Sequence, residues 1–159
     1  MKQDPEARFV VLYNAAGKNI SAAMISHDAR LLPFFAEHKI YASAVQARVE
    51  GEYLVSVLNS AFVNESIKPF QTLGLLGERD IEKKVLELPI PRFDRKDPIH
   101  ARLAALGDTA SDVVESSLKV GGISGTLATR RRLARDAAAA QLKEIDELVR
   151  KLLAPSKKI

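Results

Sequence analysis

The sequence predicts an α+β fold, in which a small β-containing domain with packed helices precedes a C-terminal antiparallel helical hairpin. Residues 8–45 contain three short runs that are predicted to be strands, and the first of them is rich in β-branched and aromatic residues and is followed by turn-forming residues. From residue 50 onward, apolar residues recur at intervals of three and four, as on the buried face of an α-helix. Two long segments with this spacing flank a link at residues 119–126 that contains three glycines.

The first two predicted strands form a hairpin with a polar tip. Arg8–Tyr13 is the first strand and Ile20–Ile25 is the second, and the residues between them include asparagine and glycine, which favour turns. A third strand is predicted at Lys39–Val45, after a connector that contains Pro33, Phe34 and Phe35.

The middle of the chain changes to helical spacing. One helix is predicted over Glu50–Ile67 and ends before Pro69, with a possible division into two pieces at Asn59 and Ser60. A glycine-punctuated loop at Phe70–Arg79 follows, and Lys84–Ile90 is predicted to form a short strand.

The helical hairpin is predicted to begin at Asp97, after an extended proline-containing connector. Asp97 is a suitable N-cap, and Pro98 suits the first position of a helix. The sequence therefore predicts two domains: residues 1–96, an α+β domain, and residues 97–159, a helical spacer or docking element. A single final helix is expected over Leu127–Leu153, and it would pair with the helix before it.

Composition excludes several classes of protein. With 47% hydrophobic residues among 159, the chain can bury a core and is not a disordered chain. Cysteine is absent, which excludes disulfides, thiolate zinc sites and a cysteine nucleophile. The polar N-terminus lacks the apolar region of a signal peptide, and no apolar run is long enough to span a bilayer. We therefore expect a soluble, cytoplasmic protein without membrane association.

Basic charge is concentrated near the C-terminus. The chain has a net charge of +4, and residues 126–159 contain nine Lys and Arg against four Asp and Glu. Such an excess suits nucleic-acid contact, although it also suits plain solubility. The densest patch is Arg130, Arg131, Arg132 and Arg135, which either contacts phosphates or is the solvated start of a helix.

Catalytic and cofactor motifs are missing from the sequence. There is no dinucleotide-binding glycine motif, no phosphate-binding loop with a Walker lysine and no nucleophile elbow. His27, His38 and His100 lie in separate segments without the spacing of metal ligands, and His100 is expected to be a surface or helix-packing residue. The sequence therefore predicts no catalytic residue, no metal and no enzymatic activity for this chain alone.

Polar side chains suited to DNA contact cluster at the hairpin tip and around the glycine-punctuated loop. Lysine and arginine bind phosphates, whereas arginine, glutamine and asparagine can also bond base edges. Gly74 and Gly77 would let the backbone approach a ligand closely. The candidate contacts are Lys18, Asn19, Lys68, Gln71, Thr72, Arg79, Lys83, Lys84 and Arg92, with Arg130, Arg131 and Arg132 on the final helix.

Several segments, taken in order, resemble a known family. They are Tyr53–Ser60 (YLVSVLNS) followed by Val63-Asn64, Ile67–Gln71 (IKPFQ), Gly74–Ile81 (GLLGERDI), Leu86–Pro91 (LELPIP) and Asp97–Leu103 (DPIHARL). Their order and spacing resemble the C-terminal specificity region of adenine-specific DNA methyltransferases and fused restriction–modification enzymes, the TaqI-like specificity domain family. The resemblance covers roughly Phe9 to Leu106.

The resemblance implies a role in clamping double-stranded DNA and reading its target sequence. The catalytic Asn/Asp-Pro-Pro-Tyr/Phe motif and the glycine-rich S-adenosylmethionine motif of that family have no match in this chain. The resemblance therefore implies that no cofactor binds here, and that a catalytic methyltransferase domain or subunit, which binds S-adenosylmethionine, is the partner.

Two other hypotheses remain open. The helical hairpin could make the chain a protein-interaction module that forms a homo-oligomer or docks a partner. A small enzyme of unrecognised type would require a pocket with converging ionisable groups whose pKa values are perturbed.

Overall fold

The computed structural model describes residues 3–4, 6–26, 35–37, 39–74, 77–78, 81 and 84–153. Its strands and helices form an α+β fold, so the predicted fold class is confirmed. The strands are β1 (Phe9–Asn14), β2 (Ala22–Ser26), β3 (Ile40–Val45), β4 (Leu73–Gly74) and β5 (Gly77–Glu78). The helices are α1 (Arg48–Asn59), α2 (Ala61–Ile67), α3 (Pro98–Lys119), α4 (Leu127–Ala137) and α5 (Ala139–Leu153).

The three predicted strands form one antiparallel sheet. Its order is β2-β1-β3, so that β1 lies in the centre and pairs with both neighbours. Phe9, Val11 and Tyr13 alternate along β1 and belong to the hydrophobic core, because side chains two residues apart share one face of a strand. The predicted hairpin of β1 and β2 and the third strand are confirmed.

The predicted middle helix is divided at Ser60, at one of the two residues where a division was expected. The Ser60 hydroxyl accepts a hydrogen bond from the Val63 amide at 3.2 Å and so caps the start of α2. α2 ends at Ile67, before Pro69, as predicted. A 3₁₀ turn at Lys68–Phe70 follows it, with Pro69 in the first turn, where a missing N–H costs little.

Two predictions for the segment between α2 and α3 are wrong. Part of the predicted loop at Phe70–Arg79 forms the short antiparallel pair of β4 and β5. The predicted strand at Lys84–Ile90 is a 3₁₀ turn at Lys84–Glu87, because Val85 and Leu88 pack on the core at a spacing of three residues while Leu86 is 59% exposed.

The start of α3 agrees with the sequence. The Asp97 carboxylate accepts hydrogen bonds from the amides of Ile99 at 2.8 Å and His100 at 3.3 Å, and Pro98 takes the first helical position. His100 is a buried packing residue. Its ring lies 4.8 Å from that of Tyr53, and its Nδ1 accepts a hydrogen bond from the Asp94 amide.

One hydrophobic core joins the sheet to the C-terminal helices. Leu103 of α3 and Ile145 and Val149 of α5 belong to the same buried cluster as Val11 of β1. The proposed boundary between residues 96 and 97 therefore does not separate two cores. α3 and α5 pack against each other, as predicted for the C-terminal helices, and they also share this core with the sheet.

The predicted single helix over Leu127–Leu153 is wrong, since it is interrupted at Ala138. Ala138 is buried, and its backbone leaves helical geometry between α4 and α5. Ala137–Ala140 is a strongly helix-forming run, so tertiary packing has overridden local propensity here.

Among the residues that the structure describes, no helix combines the length and the apolar composition that crossing a bilayer requires.

Candidate nucleic-acid interface

The loop between β1 and β2 is fixed internally by one asparagine. The Asn14 amide donates to the carbonyls of Ala16 at 2.9 Å and Asn19 at 3.1 Å, and its Oδ1 accepts from the Ser21 amide at 2.7 Å. Gly17 lies inside this arc with a φ of 139°, a conformation that residues with a Cβ rarely adopt. The Asn14 side chain, at the start of the loop, thus contacts both the middle and the end of the loop.

A second set of hydrogen bonds anchors the loop to α2 and the turn after it. Asn64 is buried, its Oδ1 accepts from the Ile20 amide at 2.6 Å, and its Nδ2 donates to the Ser60 carbonyl at 2.8 Å. Gln71 donates to the Gly17 carbonyl at 3.1 Å. The loop therefore has little freedom to change its shape without breaking buried hydrogen bonds.

Two joined segments, residues 15–21 and 68–72, form what we call the loop platform. Lys18 and Asn19 are exposed at its tip, Lys68 is half-buried and Thr72 is exposed. A further backbone hydrogen bond, from the Ile81 amide to the Ala15 carbonyl at 3.0 Å, ties the chain after β5 to the same loop. Five of the predicted DNA-contacting residues thus share one platform, and they are Lys18, Asn19, Lys68, Gln71 and Thr72.

Gln71 does not suit the direct DNA contact predicted for it. It is 7% exposed, and its amide nitrogen is already bonded to Gly17. Its buried Oε1 has no hydrogen-bond partner among the described residues. Gln71 therefore holds the loop platform together, because a side chain buried in this way cannot reach a base edge.

The other predicted residues lie elsewhere or are only partly described. Arg92 is exposed on an extended segment that Tyr53 anchors through a hydrogen bond to the Pro91 carbonyl at 3.0 Å. Gly74 and Gly77 face each other across β4 and β5. For Lys84 only the backbone is described, and Arg79 and Lys83 lie outside the described residues.

The arginine patch begins α4, which packs against α3 and α5. Arg130 and Arg131 are exposed. Arg132 is paired with Asp136 at 2.7 Å, which partly neutralises it. The described residues provide no hydrogen bond or ion pair that joins this patch to the loop platform.

Two asparagines that position the platform were missed in the sequence. Asn59 binds the edge of β2, since its Oδ1 accepts from the Ala22 amide at 3.0 Å and its Nδ2 donates to the Ala22 carbonyl at 2.9 Å. Asn64 bonds the loop only through its Oδ1, which accepts from the Ile20 amide, because its Nδ2 donates to the Ser60 carbonyl. The sequence signal for both was an asparagine within the apolar stripe of a predicted helix. A buried amide requires hydrogen-bond partners, so such an asparagine indicates a contact with another segment.

A separate cluster of charged residues joins α1 to α3. Glu52 is 4% exposed, lies 3.6 Å from Arg48 and borders a pocket of about 280 Å³. Arg48 also binds Asp108 at 2.7 Å. Burial raises the pKa of Glu52, and the charge of Asp108 adds to this, although Arg48 opposes both. We interpret the cluster as an ion-pair network between helices, because one perturbed carboxyl paired to arginine does not supply a nucleophile and a base.

Replacing Glu52 by glutamine should stabilise the protein at pH 7. Because the pKa of Glu52 is higher in the folded state, the folded protein binds the proton of this carboxyl more tightly than the unfolded chain does. The contribution of Glu52 to the free energy of unfolding therefore falls as pH rises. The loss begins near the ordinary pKa of 4.5 and is complete above the raised pKa of the folded state. We expect a gain of about 1 kcal/mol at pH 7, the scale of a polar group buried without a full partner.

Urea unfolding between roughly pH 4 and roughly pH 8, a range that begins near the ordinary carboxyl pKa, measures this effect. Glu147→Gln on α5 is the control, since Glu147 is exposed and loses the same charge. A Glu52→Gln variant that is no more stable than the Glu147→Gln variant at pH 7 would contradict the prediction.

The described residues contain no group of three or more histidine, aspartate and glutamate side chains arranged to hold a metal. No family model, curated protein or solved structure matches this chain, so the resemblance to methyltransferase specificity regions stays a prediction.

Proposed function

We propose that this chain is a non-catalytic DNA target-recognition domain of an adenine-specific restriction–modification methyltransferase. The observation that carries the proposal is the loop platform, in which Lys18, Asn19, Lys68 and Thr72 lie on two segments fixed by buried hydrogen bonds. The order of the sequence segments that resemble the family supports it independently.

The side chains on the platform suit the two kinds of DNA contact. Lys18 and Lys68 would bind phosphates, which set the position of the protein on the duplex. Asn19 and Thr72 would reach base edges, where amide and hydroxyl groups form discriminating hydrogen bonds. Since the platform is already ordered, little conformational entropy would be lost on binding.

The reaction itself belongs to a partner domain in this proposal. An adenine methyltransferase must turn its target base out of the duplex, so a second domain has to hold the DNA while this happens. Arg130 and Arg131 on α4 supply further positive charge for phosphate contact away from the platform. S-adenosylmethionine would bind the catalytic domain.

The salt dependence of DNA binding tests the proposal. Fluorescence anisotropy with a labelled duplex should show binding at low salt that weakens steeply as salt rises. Replacing both Lys18 and Lys68 by glutamine should reduce the slope of log K against log salt by about two, because each phosphate contact contributes about 0.9.

The matched control replaces Lys143 and Lys151 by glutamine. Both are exposed on α5, so this variant loses the same charge away from the platform. We expect the control to keep nearly the wild-type slope. Absence of duplex binding at low salt, or equal slopes for the two double variants, would overturn the proposal.

We propose, as the second candidate, a protein-interaction module that uses the C-terminal helices. The apolar side chains around the link between α3 and α4 favour it, since Leu118 is 43%, Val120 83% and Leu127 64% exposed. Sedimentation equilibrium discriminates the two. If the chain dimerises through this link, the wild type should associate and the Val120→Asp variant should be monomeric. A monomeric wild type would exclude dimerisation.

A further inference from the structure

A cleft of about 440 Å³ lies between α4 and the elements β2, α1, α3 and α5. Its volume falls within the range of about 300–1,000 Å³ that is usual for small-molecule sites. Small residues make the space, since Ala22, Gly107, Ala110, Ala134 and Ala138 all line it. Most of the lining is apolar, as in sites that bury the body of an organic ligand.

Arg135 is the notable polar group of this cleft. Its guanidinium is half-buried and donates one long hydrogen bond, 3.3 Å, to the Asn59 carbonyl at the end of α1. Among the described residues it has no acidic partner within ion-pair distance. Burial lowers its pKa, yet an arginine stays charged in a protein. A charge removed from water without an opposite charge is costly, and a bound anion would offset that cost.

The charged residues that line the cleft make the part of it near Arg135 positive. Arg131 precedes Arg135 by one helical turn and also lines the cleft. Glu115 lies on the opposite wall, but it is paired with Lys119 at 2.7 Å. The two arginines are therefore the charged groups that a ligand in the cleft can pair with, and both would bind an anion.

We propose that this cleft binds a small organic anion, whose carboxylate or phosphate head meets Arg135 and Arg131 and whose apolar body fills the space beside Val114, Leu142 and Ile145. An arginine fork matches both head groups, and each would form charge-assisted hydrogen bonds. The ligand of this site is not the DNA, although Arg131 also belongs to the proposed DNA contacts, because a polynucleotide backbone has no apolar portion to fill the cleft.

Isothermal titration calorimetry of the whole chain tests the site with simple amphiphiles below their micelle-forming concentrations. Decanoate and decyl phosphate separate a carboxylate head from a phosphate head. Decanol and decyltrimethylammonium keep the apolar body and remove or reverse the charge, whereas acetate and inorganic phosphate keep the charge alone. We expect saturable one-to-one binding of at least one amphiphilic anion, at least about tenfold tighter than the alcohol, the cation or the short anions.

Two variants test whether the ligand binds in the cleft. Arg135→Gln should weaken binding of the preferred anion at least about tenfold, the scale of a lost charge-assisted hydrogen bond. Ala110→Leu should also weaken it about tenfold, because leucine fills part of the space, and this variant leaves Arg135 in place. Arg130→Gln is the control, since Arg130 lies on the same helix but does not line the cleft.

Three results would each overturn the proposal. The first is that the wild type shows no saturable binding of decanoate or decyl phosphate. The second is that decanol binds as tightly as the anions. The third is that the Ala110→Leu variant and the wild type bind the anion with equal affinity. Circular dichroism of each variant separates a lost site from a lost fold, and Ala110→Leu keeps the test decisive if Arg135→Gln does not fold.

Discussion

Replacing Ile145 by alanine should lower the free energy of unfolding by about 3 kcal/mol, within the usual range for emptying a buried isoleucine site. Ile145 is 1% exposed and belongs to the same core cluster as Val11 and Tyr13 of the sheet. Because the cavity opens in a shared core, we expect the sheet and the helices to lose stability together.

Two spectroscopic probes report on different parts of the chain. All three tyrosines, Tyr13, Tyr41 and Tyr53, precede residue 97 and the chain has no tryptophan, so intrinsic fluorescence follows the sheet and α1. Far-ultraviolet circular dichroism mainly follows the helices. Ile145→Ala should shift both urea midpoints equally, whereas Leu127→Ala, at a 64% exposed site, should change the stability by less than about 0.5 kcal/mol. A fluorescence midpoint that stays at the wild-type value would mean that residues 97–153 form a separate unit.

Replacing Gly107 by alanine should destabilise the protein by about 2 kcal/mol, although alanine is the better helix former. A Cβ at this position would lie 2.6 Å from the Glu52 carbonyl oxygen and 2.5 Å from the Ser56 hydroxyl. The carbonyl is backbone within α1 and cannot turn aside, so α3 would have to move away from α1. Steric overlap should therefore outweigh the gain in helix propensity of about 1 kcal/mol.

Gly51→Ala is the matched comparison in α1. There a Cβ would meet the sulfur of Met24, near the end of a flexible side chain, instead of backbone. We expect Gly51→Ala to cost clearly less than Gly107→Ala in the same urea experiment. A Gly107→Ala variant as stable as the wild type would contradict the close packing of α1 on α3.

Local patterns in the sequence were sufficient for the three strands of the larger sheet and for most helix ends, but they did not predict β4 and β5. The β-branched and aromatic residues of Phe9–Tyr13 and the Asp97-Pro98 start of α3 are local signals, so these two elements were predicted correctly. The break at Ala138 was not, because it depends on how α5 packs against distant helices. The turn at Lys84–Glu87 was missed for the same reason, since burial and not local pattern decides between a strand and a turn there.

The candidate site was predictable in composition but not in arrangement. Turn residues predicted an exposed tip with Lys18 and Asn19, and the structure has both exposed. The sequence did not indicate that Asn64 and Gln71, 44 and 54 residues away from their partners, hold that tip. Such long-range hydrogen bonds leave no periodic signal, and Gln71 was therefore expected to contact DNA when it is an anchor.

Chemical-shift mapping tests the proposed DNA contact most directly. Adding a short duplex at low salt to the uniformly ¹⁵N-labelled chain should shift the backbone amides of Gly17, Lys18, Asn19 and Thr72, with weaker changes at the start of α4. If saturating DNA leaves these platform amides unmoved, or shifts only amides around Val120 and Leu127, then the platform does not bind the duplex.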